Sequence, residues 1–313
     1  MLKIGIIGLG AIGQRLLSQF EEHRAVSITA VCDVSEVLAK QTAERLGDVQ
    51  FYTDYQHLIA DGNVELVYVA VPPKLHHAIV MHALQAKKHV LCEKPLANSL
   101  EEAEEMARAA KEAGIVHAMN FPLNYGQAAT KFAELLGEGY IGKLRRVQLT
   151  MNFPQWPRAW QQNDWVGERE QGGFVLEVGV HYIQQILKLF GEMNNIHSKL
   201  EFPDNPISCE TGIFATAELV DGTPVLIEGL SRISGKESIG FIAYGSKGVL
   251  SIENWGLLRG GKTGEELEVL SLEETVPSRL IDELVKAING EKAEIYDFEV
   301  GYQAQKILEC LRA

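Results

Sequence analysis

The segment Gly8-Leu9-Gly10-Ala11-Ile12-Gly13 constrains the fold of this chain more than any other. A continuously apolar run, residues 2–7, precedes it, and apolar residues at helical spacing follow it. This order predicts a buried strand, a tight loop and a helix. In that setting Gly8 permits the turn, Gly10 lets the backbone approach a pyrophosphate, and Gly13 lets the helix pack closely on the strand. The alternative is a glycine-rich turn that binds nothing.

Strand and helix patterns alternate through residues 1–121. Ser35 and Ser99 are placed to cap helices, and Thr53 with Gln56 has the spacing of a capping box, as Ser99 has with Glu102. Repeated β-α-β units require right-handed crossovers between parallel strands. We therefore predict a doubly wound parallel sheet, a Rossmann domain, over residues 1–121.

The pattern changes after residue 121. Apolar and polar residues alternate over residues 213–219, and Asp221-Gly222 and Gly245–Gly248 have the composition of hairpin turns. Residues 122–296 are thus expected to form an α+β domain on an open, largely antiparallel sheet. The last helix, residues 297–313, is expected to pack back on the first domain. The fold class is α/β.

Asp33 lies 20 residues beyond Gly13, at the end of the second predicted strand. A carboxylate there can accept both ribose hydroxyls of NAD. The 2′-phosphate of NADP would meet a like charge, at a cost on the order of 4 kcal/mol for about 4 Å and an effective dielectric of about 20. We expect NAD as the cofactor, with NADP disfavoured; the alternative role for Asp33 is to cap a turn.

Composition excludes several classes of partner. The net charge of −13 repels phosphate backbones and anionic membrane surfaces, so neither a nucleic acid nor a membrane is expected as a partner. The chain begins with a strand pattern rather than a signal peptide, and a cytoplasmic location is expected. The spacing of the cysteines fits no zinc site, no metal is expected, and all four are expected to be buried thiols: Cys32, Cys92, Cys209 and Cys310.

Two further motifs follow predicted strands: Val71-Pro72-Pro73-Lys74-Leu75-His76 and Cys92-Glu93-Lys94-Pro95. Both fall at carboxyl ends of parallel strands, where open α/β sheets bind ligands. Together with Gly172-Gly173 and Glu177-Val178-Gly179-Val180-His181, they give a sequence that resembles the Gfo/Idh/MocA oxidoreductases, the group of glucose–fructose oxidoreductase and inositol dehydrogenase. The resemblance runs nearly from end to end.

The resemblance implies a Rossmann domain followed by an open-faced sheet, with the substrate bound between them and the sheet face building homodimers or homotetramers. It implies that Lys94 binds the reacting oxygen, that His181 is the general acid/base, and that Glu177 supplies a carboxylate. It also implies a cis peptide at Lys94–Pro95. Further cofactor contacts are expected from the strand-end residues Pro72, His76, Glu93 and Lys94.

The residues themselves fit these roles, because oxidation of an alcohol needs a base for the hydroxyl proton, and residues four apart share a helix face. Other interpretations stay open. Lys94 could be a surface lysine, and His181 a core histidine. Glu177 and His181 could be only a helical pair, or a metal pair. His76 either lines the nicotinamide site or serves a helix N-terminus.

Three departures from the family pattern lie on the substrate side: Glu177 replaces the usual Asp, Gln184 the Asp often found three residues after the His, and Asn124-Tyr125 the usual Arg-Tyr. Asn124 and Tyr125 are counted with Lys94, Glu177 and His181 among the residues expected at the substrate. Trp160 is a candidate for stacking on a sugar ring, ahead of Trp165. Arg158 and Arg169 are interpreted as solvated arginines rather than contacts to an acidic substrate.

The leading hypothesis is an NAD-dependent dehydrogenase or reductase acting on a sugar, polyol or inositol-like substrate. An NAD-dependent glycoside hydrolase is the second hypothesis, and net NADH formation distinguishes the two. A non-catalytic sugar sensor is the third, although a sensor has no need of Lys94 and His181.

Overall fold

The computed structural model describes residues 1–161, 163–272 and 279–313. Its contacts divide the chain into two compact units. Unit 1 contains residues 1–121 and 279–305, and unit 2 contains the described residues of 122–272 together with 306–313.

Unit 1 is built on six parallel strands in the order β3-β2-β1-β4-β5-β6. β4 is buried along its whole length, as expected for a strand covered on both faces. The order reverses between β1 and β4, and a ligand crevice forms at the carboxyl ends on either side of such a switch point. The strands are β1 Leu2–Ile7, β2 Val26–Cys32, β3 Gln50–Tyr52, β4 Leu66–Val69, β5 His89–Cys92 and β6 His117–Met119.

Helices connect these strands, and their caps test the sequence predictions. Ser35 accepts the N–H of Leu38, and Ser99 accepts the N–H of Glu102, as predicted. The cap at the third helix is Asp54, which accepts the N–H of Gln56; Thr53 was the wrong residue, because the helix starts one position later than the spacing implied. The helices are α1 Ala11–Glu22, α2 Glu36–Arg45, α3 Tyr55–Ala60, α4 His76–Gln85 and α5 Leu100–Ala113.

The late segment 279–305 joins unit 1 through specific contacts. It contains α8, Arg279–Ile288, and the first part of α9, Phe298–Arg312. His23 Nε2 lies 2.9 Å from Asp282 Oδ1, and the N–H of Met119 donates to the carbonyl of Tyr296 at 2.7 Å. The sequence pattern had grouped residues 279–296 with the second domain, because contacts over such separations leave no periodic trace.

Unit 2 is built on an eight-stranded sheet in the order β14-β13-β12-β11-β7-β10-β9-β8. Its ladders are antiparallel except for β7 with β10. The strands are β7 Leu144–Phe153, β8 Met193–Glu201, β9 Gly212–Leu219, β10 Pro224–Ser231, β11 Ser238–Gly245, β12 Gly248–Glu253, β13 Leu257–Lys262 and β14 Glu268–Val269. The predicted alternation is confirmed in β9, where every second residue from Ile213 is buried and Phe214 is 57% exposed.

Besides the end of α9 and two short 3₁₀ helices, Pro122–Tyr125 and Asp164–Gly167, the described part of unit 2 contains two α-helices and one π-helical segment. They are α6 Gln127–Gly137, the π-helical segment Val175–Gly179, and α7 Val180–Phe190, which continues directly from it. No helix within the described ranges is both long and apolar enough to cross a membrane.

Three of the four cysteines are buried free thiols, as predicted, but Cys310 is exposed. It lies on α9, whose buried positions include Ile307, Leu308 and Leu311, so Cys310 falls on the opposite helix face. Apolar sequence neighbours did not reveal which face position 310 occupies.

Candidate functional site

The three glycines that follow β1, two in the loop and Gly13 in the first turn of α1, are needed for different reasons. A Cβ on Gly8, whose φ is +94°, would lie 2.3 Å from the carbonyl oxygen of Ala70, and a Cβ on Gly13 would lie 2.0 Å from that of Gly8. Both are therefore required by packing. A Cβ on Gly10 would meet no atom within 4 Å. The open space beside Gly10 lies at the N-terminus of α1, whose first N–H groups favour anions, so this cradle could hold a pyrophosphate.

Asp33 follows β2 at the same sheet edge and is tied to this loop. Its Oδ2 accepts the N–H of Leu9 at 2.9 Å, and its Oδ1 accepts the N–H of Ser35 at 2.9 Å. The alternative role that the sequence left open for Asp33, capping a turn, is thus observed, and the role of ribose acceptor stays a prediction. Each oxygen retains a lone pair for a ribose hydroxyl.

The turn after β4 is held by His76. Its ring is fully buried, with Nε2 2.9 Å from the carbonyl of Val71 and Nδ1 2.9 Å from that of Pro95. Burial lowers the pKa of His76, and the facing carbonyls oppose the shift. With no exposed surface, His76 positions the Pro72 turn against the turn that follows β5 rather than lining a nicotinamide site.

Glu93, at the end of β5, is buried beneath Lys94. One carboxylate oxygen, Oε1, accepts both the hydroxyl of Tyr68 and the side-chain amide of Asn120. Burial raises the pKa of Glu93, against the effects of Tyr68, Lys94 and Asn120. The Lys94–Pro95 peptide is cis, as predicted, and Lys94 is half-buried. Residues in or just after three neighbouring strands, β4, β5 and β6, are thus joined at Glu93, the residue before Lys94.

In unit 2, Glu177 and His181 lie where the π-helical segment passes into α7. Glu177 belongs to the π-helical turn, and His181 is the second residue of α7 and is 7% exposed. The stretch between them is helical, as predicted, although its first turn is wider than an α-helical one.

Glu210 supports the start of this segment, and the sequence analysis missed it. Its Oε1 accepts the N–H of Val175 at 2.8 Å, and burial raises its pKa. A Cβ on Gly173 would lie 2.2 Å from Glu210 Oε2, so Gly173 is needed to admit the carboxylate. The Gly172-Gly173 pair was noticed in the sequence, but nothing there indicated which side chain fills the space.

The ring of Trp255 packs against His181, and the sequence analysis also missed this residue. The two ring centroids are 5.5 Å apart, with planes at 81°. Trp255 lies in the turn between β12 and β13, where Asn254-Trp255-Gly256 offered only the signal of a turn. Trp160, the predicted stacking residue, is 53% exposed, and Trp165 and Tyr125 are half-buried.

Arg158 is not the solvated arginine that we expected. Its Nε and Nη2 each donate to the Glu237 carboxylate at 2.8 Å, and its side chain is 12% exposed. The guanidinium lies 4.9 Å from the ring centroid of Phe153 and 5.9 Å from that of Trp255. Its charge is therefore already neutralised inside unit 2.

Two of the three departures from the family pattern contact each other. The side-chain amide of Asn124 donates to Gln184 Oε1 at 2.7 Å, and Asn124 Oδ1 accepts from Gln185 and from Lys188. Asn124, Gln184 and Gln185 are all buried. This cluster braces α7, the helix that carries His181.

Comparison with protein families gives two matches. Residues 2–121 match a model described as an oxidoreductase family with an NAD-binding Rossmann fold. Residues 130–251 match the GFO/IDH/MocA C-terminal domain.

Individual relatives extend over different parts of the chain. A myo-inositol 2-dehydrogenase from Thermotoga maritima is 30% identical over 61% of this chain and 55% of its own length. A 2,7-anhydro-N-acetylneuraminate hydratase from Escherichia coli is 29% identical over 84% of this chain and 72% of its own. The alignment thus spans little more than half of the first relative.

The fold has close structural neighbours. A levoglucosan dehydrogenase solved with NADH and L-sorbose superposes with a TM-score of 0.86, covering 99% of this chain and 96% of its own, at 20% identity. At that identity the likeness concerns the fold.

Proposed function

This chain belongs to the Gfo/Idh/MocA oxidoreductase family, whose two domain models together match well over half of it, and we propose that it transfers a hydride between NAD(H) and the hydroxyl-bearing carbon of a sugar, polyol or inositol-like substrate. The observation that carries this proposal is the carboxyl edge of the unit 1 sheet. There the Gly10 cradle follows β1, Asp33 follows β2 and Lys94 follows β5. One edge thus offers a phosphate site, a ribose acceptor and a cationic donor.

NAD is the cofactor that these residues fit. The Gly10 backbone and the N-terminus of α1 would hold the pyrophosphate, and Asp33 would accept hydrogen bonds from the ribose hydroxyls. The Asp33 carboxylate disfavours the additional phosphate of NADP. When bound, the nicotinamide supplies the acceptor or donor of the hydride.

The chain's own residues handle the oxygen and the proton. Lys94 donates a hydrogen bond to the reacting oxygen, where negative charge develops as the hydroxyl proton leaves. His181 takes that proton in oxidation and returns it in reduction. Glu177, one turn earlier, either binds a substrate hydroxyl or orients the imidazole.

The second candidate function is a reaction that leaves no net change in the oxidation state of the cofactor. It is considered because the relative aligned over 84% of this chain is named a hydratase. A glycoside hydrolase that oxidises its sugar only transiently belongs to the same class. Both would use Lys94 and His181 and return the cofactor to its starting state.

The experiment is a panel of cyclitols, aldoses, anhydrosugars and linear polyols with NAD+, followed by the absorbance of NADH. Net NADH formation that requires Lys94 and His181 supports the dehydrogenase. Conversion of a substrate without net NADH, detected by chromatography, supports the redox-neutral alternative. Binding of a sugar without conversion indicates a sensor.

Assembly and location are part of the proposal. We infer a homodimer or homotetramer formed through the open face of the unit 2 sheet, where Phe214 and Leu230 are 57% and 44% exposed. Four free thiols suit a reducing compartment, so we place the protein in the cytoplasm. Light scattering of wild type and Phe214→Glu tests the assembly: a monomeric variant supports this face, and an unchanged mass contradicts it.

A further inference from the structure

Trp255 has a backbone conformation that a large side chain rarely adopts. Asn254 and Trp255 have φ values of 46° and 75°, and the turn closes with the N–H of Gly256 donating to the carbonyl of Glu253 at 3.2 Å. Positive φ at both central positions favours Asn followed by Gly. Here tryptophan takes the position that suits glycine, and such outliers persist where the surroundings enforce them, often at ligand sites.

The surroundings do enforce this turn. The backbone N–H of Asn254 donates to the carbonyl of Ile239 at 2.9 Å, and Asn254 Oδ1 accepts the N–H of Ile239 at 3.0 Å. The indole packs on His181, and its ring centroid lies 5.6 Å from that of the buried Tyr182. β11 thus fixes the turn through Asn254, and α7 fixes the indole.

Although fixed, Trp255 remains 37% exposed. A rigid, partly exposed indole beside the proposed proton acceptor is a surface that a ligand can cover without ordering it further. The C–H-rich face of a ring sugar is apolar, so it gains from packing on an aromatic ring while its hydroxyls remain at the edges.

The charged residues beside Trp255 indicate which class of ligand this surface would bind. The guanidinium of Arg158, 5.9 Å from the centroid of this ring, is paired with Glu237 through two hydrogen bonds. This pair offers no net positive charge to a carboxylate or phosphate on the ligand. The surface beside Trp255 therefore suits a neutral ring better than a sugar acid or a sugar phosphate.

We propose that Trp255 forms a stacking subsite beside His181 that selects neutral cyclic polyols, pyranoses or cyclitols, over linear polyols and sugar acids. This specificity role rests on the proposed function, because it takes His181 as the residue that meets the reacting hydroxyl. Linear polyols lack a flat C–H face, so they gain less from the indole.

The test measures binding directly. Affinities of the NADH-saturated protein for myo-inositol, levoglucosan, sorbitol and glucuronate are determined by saturation-transfer NMR and calorimetry. Wild type is expected to prefer the two neutral cyclic probes, and Trp255→Leu to weaken them about tenfold or more, with Trp255→Phe close to wild type. Trp255→Gly relieves the backbone conformation, so it gives a folded variant without the ring.

Phe202→Leu is the matched control, since Phe202 is also a partly exposed ring of unit 2, 40% exposed, under an arginine, Arg169. It should leave cyclic-polyol binding unchanged. The subsite is overturned if Trp255→Gly binds both cyclic probes as wild type does. It is also overturned if wild type binds sorbitol or glucuronate as tightly as the two cyclic probes, or if wild type binds neither cyclic probe.

These outcomes separate the two proposals. Trp255-dependent binding without NADH formation from any alcohol supports the subsite and contradicts the dehydrogenase. Turnover of a cyclitol with an unchanged kcat/KM in Trp255→Gly supports the dehydrogenase and overturns the subsite.

Discussion

The side-chain amide of Asn124 donates to the side-chain carbonyl of Gln184 at 2.7 Å, and both residues are buried. They stand where the family pattern has an arginine and an aspartate. Two departures that looked independent in the sequence are thus one neutral pair. Replacing both partners of a buried polar contact together costs far less than leaving one of them unmatched.

Replacing Asn124 and Gln184 with the arginine and aspartate of the family pattern should show whether the two side chains are energetically coupled. Asn124→Arg places a charge near Lys188, and Gln184→Asp buries an unpaired carboxylate, so each single variant should lose about 3 kcal/mol of stability or more. The double variant should recover about 1–3 kcal/mol relative to the sum of the singles. Urea unfolding of all four proteins measures this, and additive losses would contradict the pairing.

Asp33 should set the choice of cofactor. Wild type is expected to bind NADH more tightly than NADPH, and Asp33→Asn should reduce that preference at least about tenfold by removing the like charge. Asp61→Asn removes a charge on the segment that precedes β4, at the opposite edge of the same sheet, and serves as the control. Equal affinities of wild type for the two cofactors, measured by calorimetry, would refute this role.

Lys94 should matter for chemistry rather than for folding. Lys94→Met keeps most of the side-chain length but removes the donor, so kcat should fall by roughly 10²-fold or more. The Kd for NADH and the Tm should change little, and Lys111→Met on the exposed side of α5 should have no effect. Wild-type turnover in Lys94→Met would remove the lysine from the mechanism.

His181 should determine how the rate depends on pH. Oxidation of an alcohol needs the neutral imidazole, so kcat/KM should rise with pH, and His181→Ala should flatten that rise and lower the rate by about 10²–10⁴-fold. Glu177→Asp restores the commoner family residue and should be tolerated better than Glu177→Ala. If His181→Ala keeps both the rate and the pH dependence, another group is the base.

His117 should make unit 1 sensitive to acid. Its Nδ1 accepts the N–H of Phe298 at 3.2 Å, which an imidazolium cannot do. Burial lowers the pKa of His117 from 6.5, while Asp297 opposes the shift. The unfolded chain therefore binds the proton more readily, so this contribution to stability is present above about pH 6.5 and is lost as the pH falls towards the folded value.

The comparison that isolates this effect is with His117→Asn, whose side-chain oxygen can still accept the N–H but does not titrate. Burial raises the pKa values of Glu93 and Glu210, which changes stability with pH in the opposite sense and is common to both proteins. Between pH 7.5 and pH 5.5, the free energy of unfolding should fall more for wild type than for His117→Asn. Parallel falls would contradict the role of His117.

Local chemistry made much of the molecule predictable from sequence. The glycine loop, the serine caps at positions 35 and 99 and the alternation in β9 each depend on residues close together in the chain, whereas the cis peptide at Lys94–Pro95 followed from the family resemblance. The strand ends at Asp33 and Glu93 followed from the order of β-α-β units, which brings carboxyl ends to one edge.

The rest depends on partners distant in sequence. Glu210 reaches the segment of Glu177 from a position 33 residues later, and Arg158 is neutralised by Glu237, so neither pairing has a local signal. Trp255 occupies a turn position where sequence rules expect glycine. Only the tertiary structure shows what fixes it there.

Gly8 and Gly13 have no room for a methyl group, whereas Gly10 has open space around it. Packing therefore requires the first pair, and under the proposed function only the dinucleotide would require Gly10. A lineage that abandoned the cofactor would be free to change Gly10 while it kept Gly8 and Gly13. The middle glycine is thus an evolutionary marker that separates descendants still using the dinucleotide from those that retain only its scaffold.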